Sequence, residues 1–332
     1  MYITGMDHSS RPLLEVEDLS IGFAGDQGIV AITDKVSFKI DPGEAFGLVG
    51  ESGCGKSVTC LALLKVLPNP GGKVLSGRIL FKGRDILSMT PEELRKVRGR
   101  EIGMIFQEPG AALDPLMSIR RQLLEPFRNH GYEGDPMERI RFLLDRVGIA
   151  DPERVLASFP HQLSGGMLQR VMITMALSLN PSLLIADEPT TALDVTVQAQ
   201  IMELLADLRR DLKVSVLMIT HNLNLVAQYA DRVAVMYAGR IAEEGPVEAF
   251  LRRPLHPYSQ GLLAALPRLD EPRGPMRPIP GHVPRPVDYL PGCRFRDRCP
   301  HAFEPCVRKP ALFSAGPGHA AACFLYENGG VK

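Results

Sequence analysis

The order of hydrophobic and polar residues predicts a chain in which short strands alternate with helices. Residues 14–23 and 32–40 alternate between apolar and polar side chains, as half-buried strands do. Uninterrupted short apolar runs are typical of strands buried on both faces of a parallel sheet. Four such runs occur, at residues 45–49, 102–106, 183–186 and 216–219.

Helical spacing dominates the middle of the chain. Residues 55–67 predict a helix that stops at Pro68, and residues 119–128, 136–147 and 165–179 predict three more. Residues 231–245 predict a late hairpin. The pattern therefore predicts an α/β core that carries a helical insertion.

A phosphate-binding motif lies between the strand at residues 45–49 and the following helix. Its sequence, GESGCGKS, fits the pattern G-x-x-x-x-G-K-S. Glycines allow backbone N–H groups to surround a phosphate at a helix N-terminus, where the helix dipole favours negative charge. Lys56 would neutralise the β- and γ-phosphates of ATP, and the Ser57 hydroxyl would coordinate Mg²⁺. The predicted nucleotide-binding residues of this motif are Gly50, Ser52, Gly53, Cys54, Gly55, Lys56, Ser57 and Val58.

A pair of carboxylates follows the apolar run at residues 183–186. Asp187 is predicted to hold Mg²⁺, and Glu188 to act as a general base toward the attacking water. Alone, such a pair could equally be a solvated strand end. Together with the phosphate motif it predicts an ATP-hydrolysing site.

Charge and composition narrow the class of protein. Lys plus Arg and Asp plus Glu number 38 each among 332 residues, so the basic field typical of nucleic-acid binding is missing and no nucleic-acid partner is expected. No apolar run is long enough to span a bilayer, and residues 1–12 lack the apolar core of a signal peptide. We therefore expect a cytoplasmic protein. Prolines crowd the end of the chain, which suggests a boundary near residue 250 and two parts, residues 1–250 and 251–332.

The stretch LSGGMLQR, at residues 163–170, precedes the carboxylate strand and opens a helix. Here the chain resembles the ATPases of ABC transporters, whose signature is LSGGQ, over roughly residues 13–250. The resemblance implies a P-loop core similar to that of RecA, an antiparallel β-subdomain and a helical subdomain over about residues 108–180. It implies further site residues, which are Phe23 against adenine, Gln107 near Mg²⁺ or water, Ser164, Gly165 and Gly166 on the γ-phosphate, Asp194 in the D-loop and His221 as the switch histidine.

The same resemblance implies partners. Each ATP would lie between the phosphate loop of one subunit and the signature of another, either a second related ATPase or a copy of this chain. Residues 108–115 would meet a membrane subunit. Two other classes stay open at this stage, a soluble ABC ATPase that remodels nucleic acid or ribosomes and a P-loop kinase. The signature and D-loop disfavour the kinase.

The segment from Leu255 to Leu263 resembles the tails of oligopeptide and dipeptide importer ATPases. The implied function is ATP-driven peptide import with two permease subunits and an extracytoplasmic binding protein, at the cytoplasmic face of the membrane. Nickel chelates, oligosaccharides or antibiotics stay possible as cargo. Within the tail, His256 and Tyr258 could form a binding pair, but a proline turn packed on the core is preferred.

Four of the six cysteines crowd the tail, at Cys293, Cys299, Cys306 and Cys323. The surrounding segment is rich in proline and poor in apolar residues, so a metal centre would supply stability. The wide gaps favour an iron–sulfur cluster over zinc, with free thiols as a third possibility, and the family resemblance implies a [4Fe-4S] cluster. His301 and His319 are possible substitute ligands. Three arginines lie between these thiols and are interpreted either as offsetting cluster charge or as a solvated basic face; they are Arg294, Arg296 and Arg298. Cys54 and Cys60 are interpreted as packing residues.

Overall fold

The structure, a computed structural model, describes residues 11–25, 28–191, 193–266 and 279–327. Their backbone forms two β-sheets, helices on the larger sheet and several short 3₁₀ turns. The strands are β1 (Leu14–Gly25), β2 (Gly28–Ala31), β3 (Val36–Ile40), β4 (Ala45–Val49), β5 (Gly72–Phe81), β6 (Arg84–Asp85), β7 (Ile102–Ile105), β8 (Leu183–Asp187), β9 (Ser215–Thr220), β10 (Arg232–Tyr237), β11 (Arg240–Pro246), β12 (Phe313–Gly316) and β13 (His319–Ala321). The helices are α1 (Lys56–Leu63), α2 (Pro91–Val97), α3 (Pro109–Ala112), α4 (Ile119–His130), α5 (Pro136–Arg146), α6 (Pro152–Ala157), α7 (Gly165–Leu177), α8 (Val195–Leu212), α9 (Leu223–Tyr229), α10 (Val247–Arg252) and α11 (Pro257–Ala264).

The smaller sheet is antiparallel and has five strands in the order β2-β1-β5-β6, with β3 also paired to β1. The larger sheet has eight strands in the order β12-β13-β11-β10-β4-β9-β8-β7. Its strands from β10 to β7 run parallel to one another. Because parallel strands end at the same edge, this order brings the ends of β4, β8 and β9 side by side.

The core has two layers, one on each face of the larger sheet. Along β8, Leu184 and Ala186 join the layer packed against the helices, whereas Leu183 and Ile185 join the layer beneath the antiparallel sheet. Successive side chains of a strand point to opposite faces, so an uninterrupted apolar run is what a strand covered on both sides requires. The four predicted buried strands are confirmed as β4, β7, β8 and β9.

Two predicted elements end earlier or begin later than expected. The first helix stops at Leu63 rather than residue 67, because Lys65 takes a left-handed conformation (φ 53°) that closes the helix end. The strand predicted from residue 32 begins at Val36, after Lys35, which is also left-handed (φ 55°). Strand β5 was not predicted, since its sequence, GKVLSGRILF, lacks regular alternation and contains Gly77 at a positive φ of 98°.

Helices α3 to α7 form the predicted helical insertion between β7 and β8. At the other end of the chain, β13 pairs with β11, so residues 313–321 extend the larger sheet. Within the described ranges, every helix falls short of the length and apolarity needed to cross a bilayer.

Candidate ATP-hydrolysing site

The phosphate motif forms the turn between β4 and α1. Gly53 and Gly55 take positive φ angles of 79° and 109°, which favour glycine. A Cβ atom on Gly50 would lie 2.1 Å from the carbonyl oxygen of Met236, so the loop passes too close to β10 for any side chain there. Lys56 is buried and donates hydrogen bonds from Nζ to the carbonyl oxygens of Gly50 (2.8 Å) and Glu51 (3.1 Å). The motif therefore folds as a tight loop with a buried ammonium at its centre.

The end of β8 brings the first predicted carboxylate to this loop. The Ser57 hydroxyl donates to Oδ1 of Asp187 over 3.1 Å, although the two residues lie 130 positions apart. A hydroxyl and a carboxylate held together are oxygen ligands of the kind that Mg²⁺ prefers. Burial raises the pKa of Asp187, and a bound cation would favour its ionised form. The residues present therefore fit Mg²⁺ bound with a triphosphate.

Glu188, the next residue, lies at the centre of a cluster of polar side chains. Gln107 Nε2 and Thr191 Oγ1 donate to its Oε2 over 3.1 and 2.8 Å, and Nδ1 of His221 lies 3.3 Å from its Oε1. Glu188 itself has a left-handed backbone (φ 46°), an uncommon conformation for a residue with a side chain. The structure thus brings Gln107, Glu188 and His221 together, and it adds Thr191, which sequence reasoning missed.

The electrostatics of this cluster favour an ionised glutamate. Burial alone would raise the pKa of Glu188, but hydrogen bonds from Thr191 and His221 and the nearby positive charge of Lys56 outweigh it and lower the pKa. An ionised carboxylate can accept a proton, which a general base requires.

The signature stretch begins α7, away from the polar cluster in sequence. The Ser164 hydroxyl caps this helix by accepting a hydrogen bond from the backbone N–H of Met167 (3.4 Å), and Ser164 and Gly165 are exposed. A Cβ atom on Gly166 would lie 3.1 Å from the side chain of Val197 on α8. Asp194 caps α8 by accepting from the N–H of Val197 over 2.9 Å. The signature and the D-loop aspartate are thus neighbours on two adjoining helix N-termini.

Phe23 lies on β1 opposite Val30 of β2, half-buried against Gly72 of β5. Val58 is half-buried on α1. Both side chains pack against the core layer beneath the antiparallel sheet and stay predictions for nucleotide contact.

The tail touches the phosphate loop directly, which sequence reasoning missed. The backbone N–H of Glu51 donates to the Tyr258 hydroxyl over 3.0 Å. Arg298 forms a two-point ion pair with the Glu51 carboxylate, with N–O distances of 2.8 and 3.1 Å. The interpretation of the tail arginines as a solvated face is therefore wrong for Arg298 and Arg294, whose side chains are 8% and 9% exposed.

The prediction of a metal centre in the tail is wrong. Over the described ranges, which include all four tail cysteines, no group of three or more His, Cys, Asp or Glu side chains is arranged to hold a metal ion, and the thiols of Cys293, Cys299, Cys306 and Cys323 are free. The iron–sulfur assignment and its zinc alternative are therefore unsupported. Of the substitute ligands, His319 instead contacts the buried carboxylate of Glu243 over 2.8 Å, and His301 is exposed.

Contacts with the core replace the stability that a metal was expected to supply. Asp34, near β3, pairs with Lys309 and Arg294 of the tail. Phe295 packs edge-on against Tyr237 of β10 with ring centroids 5.2 Å apart, and it is buried. The prediction of a metal centre is wrong because the tail does not fold by itself; it is stabilised by packing on the rest of the chain.

Comparison with known proteins agrees with this geometry. Residues 33–191 match the family model described as ABC transporter. A solved ATP-binding cassette, MJ0796, in a dimeric post-hydrolysis state bound to ADP and phosphate, superposes with a TM-score of 0.63 at 27% identity, covering 70% of this chain and 98% of that one. The cbiO1 structure from Clostridium perfringens gives a TM-score of 0.62 at 29% identity, with 74% and 92% covered. The chain is therefore an ATPase of the ABC transporter class.

The relatives define the family within that class. Residues 242–306 match the model described as oligopeptide/dipeptide transporter, C-terminal region. A putative peptide import ATP-binding protein of Brucella abortus is 48% identical over 316 residues, 95% of each chain. The oligopeptide transport ATP-binding protein OppD of Salmonella typhimurium is 46% identical over 94% of this chain and 93% of its own, and AppD of Bacillus subtilis 44% identical over 96% and 98%. The chain belongs to the ATP-binding subunits of oligopeptide/dipeptide importers, which decides against the kinase and the nucleic-acid remodelling ATPase.

Proposed function

We propose that this chain hydrolyses ATP at its phosphate loop and couples the reaction to peptide import through membrane permease subunits. One observation carries the catalytic part of the proposal. Glu188 is held by Gln107, Thr191 and His221 directly after Asp187, which itself contacts Ser57 of the phosphate loop. This arrangement supports a general base beside a phosphate-binding loop and a set of Mg²⁺ ligands.

Each residue has a role that follows from its chemistry. Lys56 and the loop N–H groups bind the phosphates, and Ser57 and Asp187 hold Mg²⁺, with Gln107 close by. When bound, Mg²⁺ neutralises the charge that develops on the transferred phosphate. Glu188 accepts the proton of the attacking water, and His221 keeps the glutamate in place. Phe23 supplies an aromatic surface for the base of the nucleotide.

The signature acts on the nucleotide of a second subunit. Ser164, Gly165 and Gly166 present a helix N-terminus, which attracts anions, and the first two residues are exposed. The dimeric ATP-binding cassette to which this chain is similar supports an assembly of two cassettes. We infer that the phosphate loop of one cassette and the signature of the other share each ATP, with either a related ATPase or a second copy of this chain as partner, and that Asp194 lies at their boundary.

Coupling to the membrane involves the segment after Gln107. Residues 108–115 are largely exposed, and Leu116 next to them is 85% exposed, an unusual position for a large apolar side chain. We infer that this surface meets two permease subunits at the cytoplasmic face of the membrane, and that an extracytoplasmic binding protein delivers the peptide. Residues 1–250 then form the nucleotide-binding part and residues 251–332 the tail.

The test compares binding with turnover. Lys56→Ala is expected to abolish ATP binding by the isolated chain. Ser164→Ala should leave that binding unchanged but lower phosphate release by the reconstituted transporter by about tenfold or more. Asp135→Ala, which removes the cap of α5 in the same helical insertion, is the matched control for loss of a helix cap and should leave turnover near the wild-type rate.

Two results would contradict the proposal. One is a Ser164→Ala transporter with normal turnover. The other is a failure of proteoliposomes containing the transporter and its binding protein to accumulate labelled peptide when supplied with Mg-ATP.

A further inference from the structure

Glu51 places a negatively charged carboxylate inside the phosphate loop, although the predicted ligand of this loop, ATP, is itself a polyanion. It is the second residue of the phosphate motif, between Gly50 and Ser52. A negative charge at this point repels phosphate oxygens through Coulomb interaction, the more so since the neighbourhood is partly shielded from water. ATP binding at this loop is therefore favoured by a positive charge that neutralises the Glu51 carboxylate.

Arg298 of the tail supplies that charge. Its two terminal nitrogens, Nη1 and Nη2, lie 2.8 and 3.1 Å from the two carboxylate oxygens of Glu51, the geometry of a two-point guanidinium–carboxylate pair. The Arg298 side chain is 8% exposed and that of Glu51 27% exposed, so the pair is weakly screened by solvent.

The guanidinium is fixed by groups other than Glu51. Nε of Arg298 donates to the carbonyl oxygen of Pro280 over 2.8 Å. The guanidinium carbon also lies over the rings of Tyr237 and Phe295, 5.7 and 5.9 Å from their centroids. Arg298 is thus held in place by β10 and the tail, and it fixes the Glu51 carboxylate rather than following it.

All three polar groups of Glu51 are occupied. The backbone N–H donates to the Tyr258 hydroxyl over 3.0 Å, and the backbone carbonyl accepts from Lys56 Nζ over 3.1 Å. Burial raises the pKa of Tyr258, so its hydroxyl is neutral and adds no charge to the loop. The tail therefore holds Glu51 through both its side chain and its backbone.

We propose that Arg298 is a positioning residue that neutralises Glu51 and holds its carboxylate on the side of the loop facing the tail, so that the phosphate loop can accept ATP. The tail thereby sets the affinity of the site for nucleotide. This inference rests on the proposed binding of ATP at Gly50 to Ser57.

The experiment measures Mg-ATP binding by the full-length chain and steady-state hydrolysis by the reconstituted transporter, for wild type and a small set of variants. Arg298→Met is expected to raise the Kd and KM for ATP by about tenfold with little change in kcat, since it leaves an uncancelled carboxylate beside the phosphates. Adding Glu51→Gln to that variant should restore both constants to within about twofold of wild type, because the repelling charge is then gone.

Arg294→Met is the matched control. Arg294 is also a buried tail arginine that pairs with a carboxylate of the core, but its partner is Asp34 and not the phosphate loop. Its loss should leave the Kd and KM for ATP within about twofold of wild type. Thermal unfolding of each variant shows whether it is folded. Glu51→Gln alone gives a second test, since it should bind ATP at least as tightly as wild type even if Arg298→Met does not fold.

The outcomes separate this inference from the proposed function. If Lys56→Ala binds ATP as tightly as wild type, the assigned ATP site is wrong. If Lys56→Ala loses binding but Arg298→Met does not, only the role of Arg298 fails. A double variant that binds as weakly as Arg298→Met would show that the arginine acts through shape rather than charge, and weakened binding by Glu51→Gln would also overturn the inference.

Discussion

His256 makes the stability of the protein depend on pH through the helix that reaches the phosphate loop. It is buried at the N-terminus of α11, and its Nδ1 accepts a hydrogen bond from the backbone N–H of Tyr258 over 3.0 Å. Burial lowers the pKa of His256 to about 4, although the facing carboxylate of Glu243 opposes this shift. The ring also contacts Phe295, with centroids 5.7 Å apart. Protonation of His256 would place a positive charge in a buried site, and it would remove the Nδ1 acceptor of the hydrogen bond from Tyr258.

The sign and size of the effect follow from the two pKa values. The folded-state pKa lies below the ordinary value of 6.5, so the unfolded chain binds the proton more readily. The contribution of neutral His256 to stability is therefore complete above pH 6.5 and is lost as the pH falls through 6.5 toward 4. At pH 5 the loss is about 2 kcal/mol, and its limit at lower pH is about 3 kcal/mol.

The assay is thermal unfolding followed by circular dichroism at pH 7.5 and 5.0, a suitable probe because the chain contains no tryptophan. His256→Asn keeps a side-chain acceptor for the helix cap but does not titrate. Its free energy of unfolding should therefore fall by about 2 kcal/mol less than that of wild type between pH 7.5 and pH 5.0. His282→Asn, a change at an exposed histidine of the tail, should behave as wild type. Equal losses in His256→Asn and wild type would refute the reasoning.

Three further predictions concern the site and the core. Glu188→Gln should bind ATP but release phosphate at least about 100-fold more slowly, because the amide cannot accept a proton; unchanged turnover would exclude Glu188 as the base. Gly50→Ala should lower the thermal midpoint more than Gly43→Ala, since its Cβ would lie 2.1 Å from the carbonyl oxygen of Met236 whereas Gly43 has open space and only a strained φ of 76°. Phe250→Ala, at a side chain 1% exposed, should cost about 3–5 kcal/mol in denaturant unfolding, and a loss below about 1 kcal/mol would contradict the packing described.

The sequence by itself determined those parts of the site that are written in contiguous residues. The phosphate loop needs glycines, a lysine and a serine in fixed order, and a helix must follow at once. The signature likewise depends on a serine cap and glycines at one helix start. Apolar runs covered on both sides specify buried strands wherever they lie in a sheet. These features are local, so the pattern of residues alone predicted the phosphate loop, the buried strands and the helix start, whereas the role of the signature came from the family resemblance.

The tertiary structure decided which of these segments meet. Gln107 and Glu188 are 81 positions apart and come together only because β7 and β8 are neighbours in the sheet. The carboxylate pair after an apolar run predicted the role of Glu188, and the family resemblance implied that of Gln107. Their contact depends on the order of strands in the sheet, which the residue pattern does not specify.

The tail shows most clearly what the sequence alone could not supply. Its four cysteines suggested a metal centre, and its arginines were interpreted as offsetting cluster charge or as a solvated face. Arg298 instead pairs with Glu51 across 247 positions, and β13 joins the larger sheet. Such a segment is stabilised by burial against a surface formed by other parts of the chain. Burial depends on which residues are close in the folded structure and not on which are adjacent in the sequence. Local chemistry was therefore readable from the sequence, while the partner of each charge was fixed only by the fold.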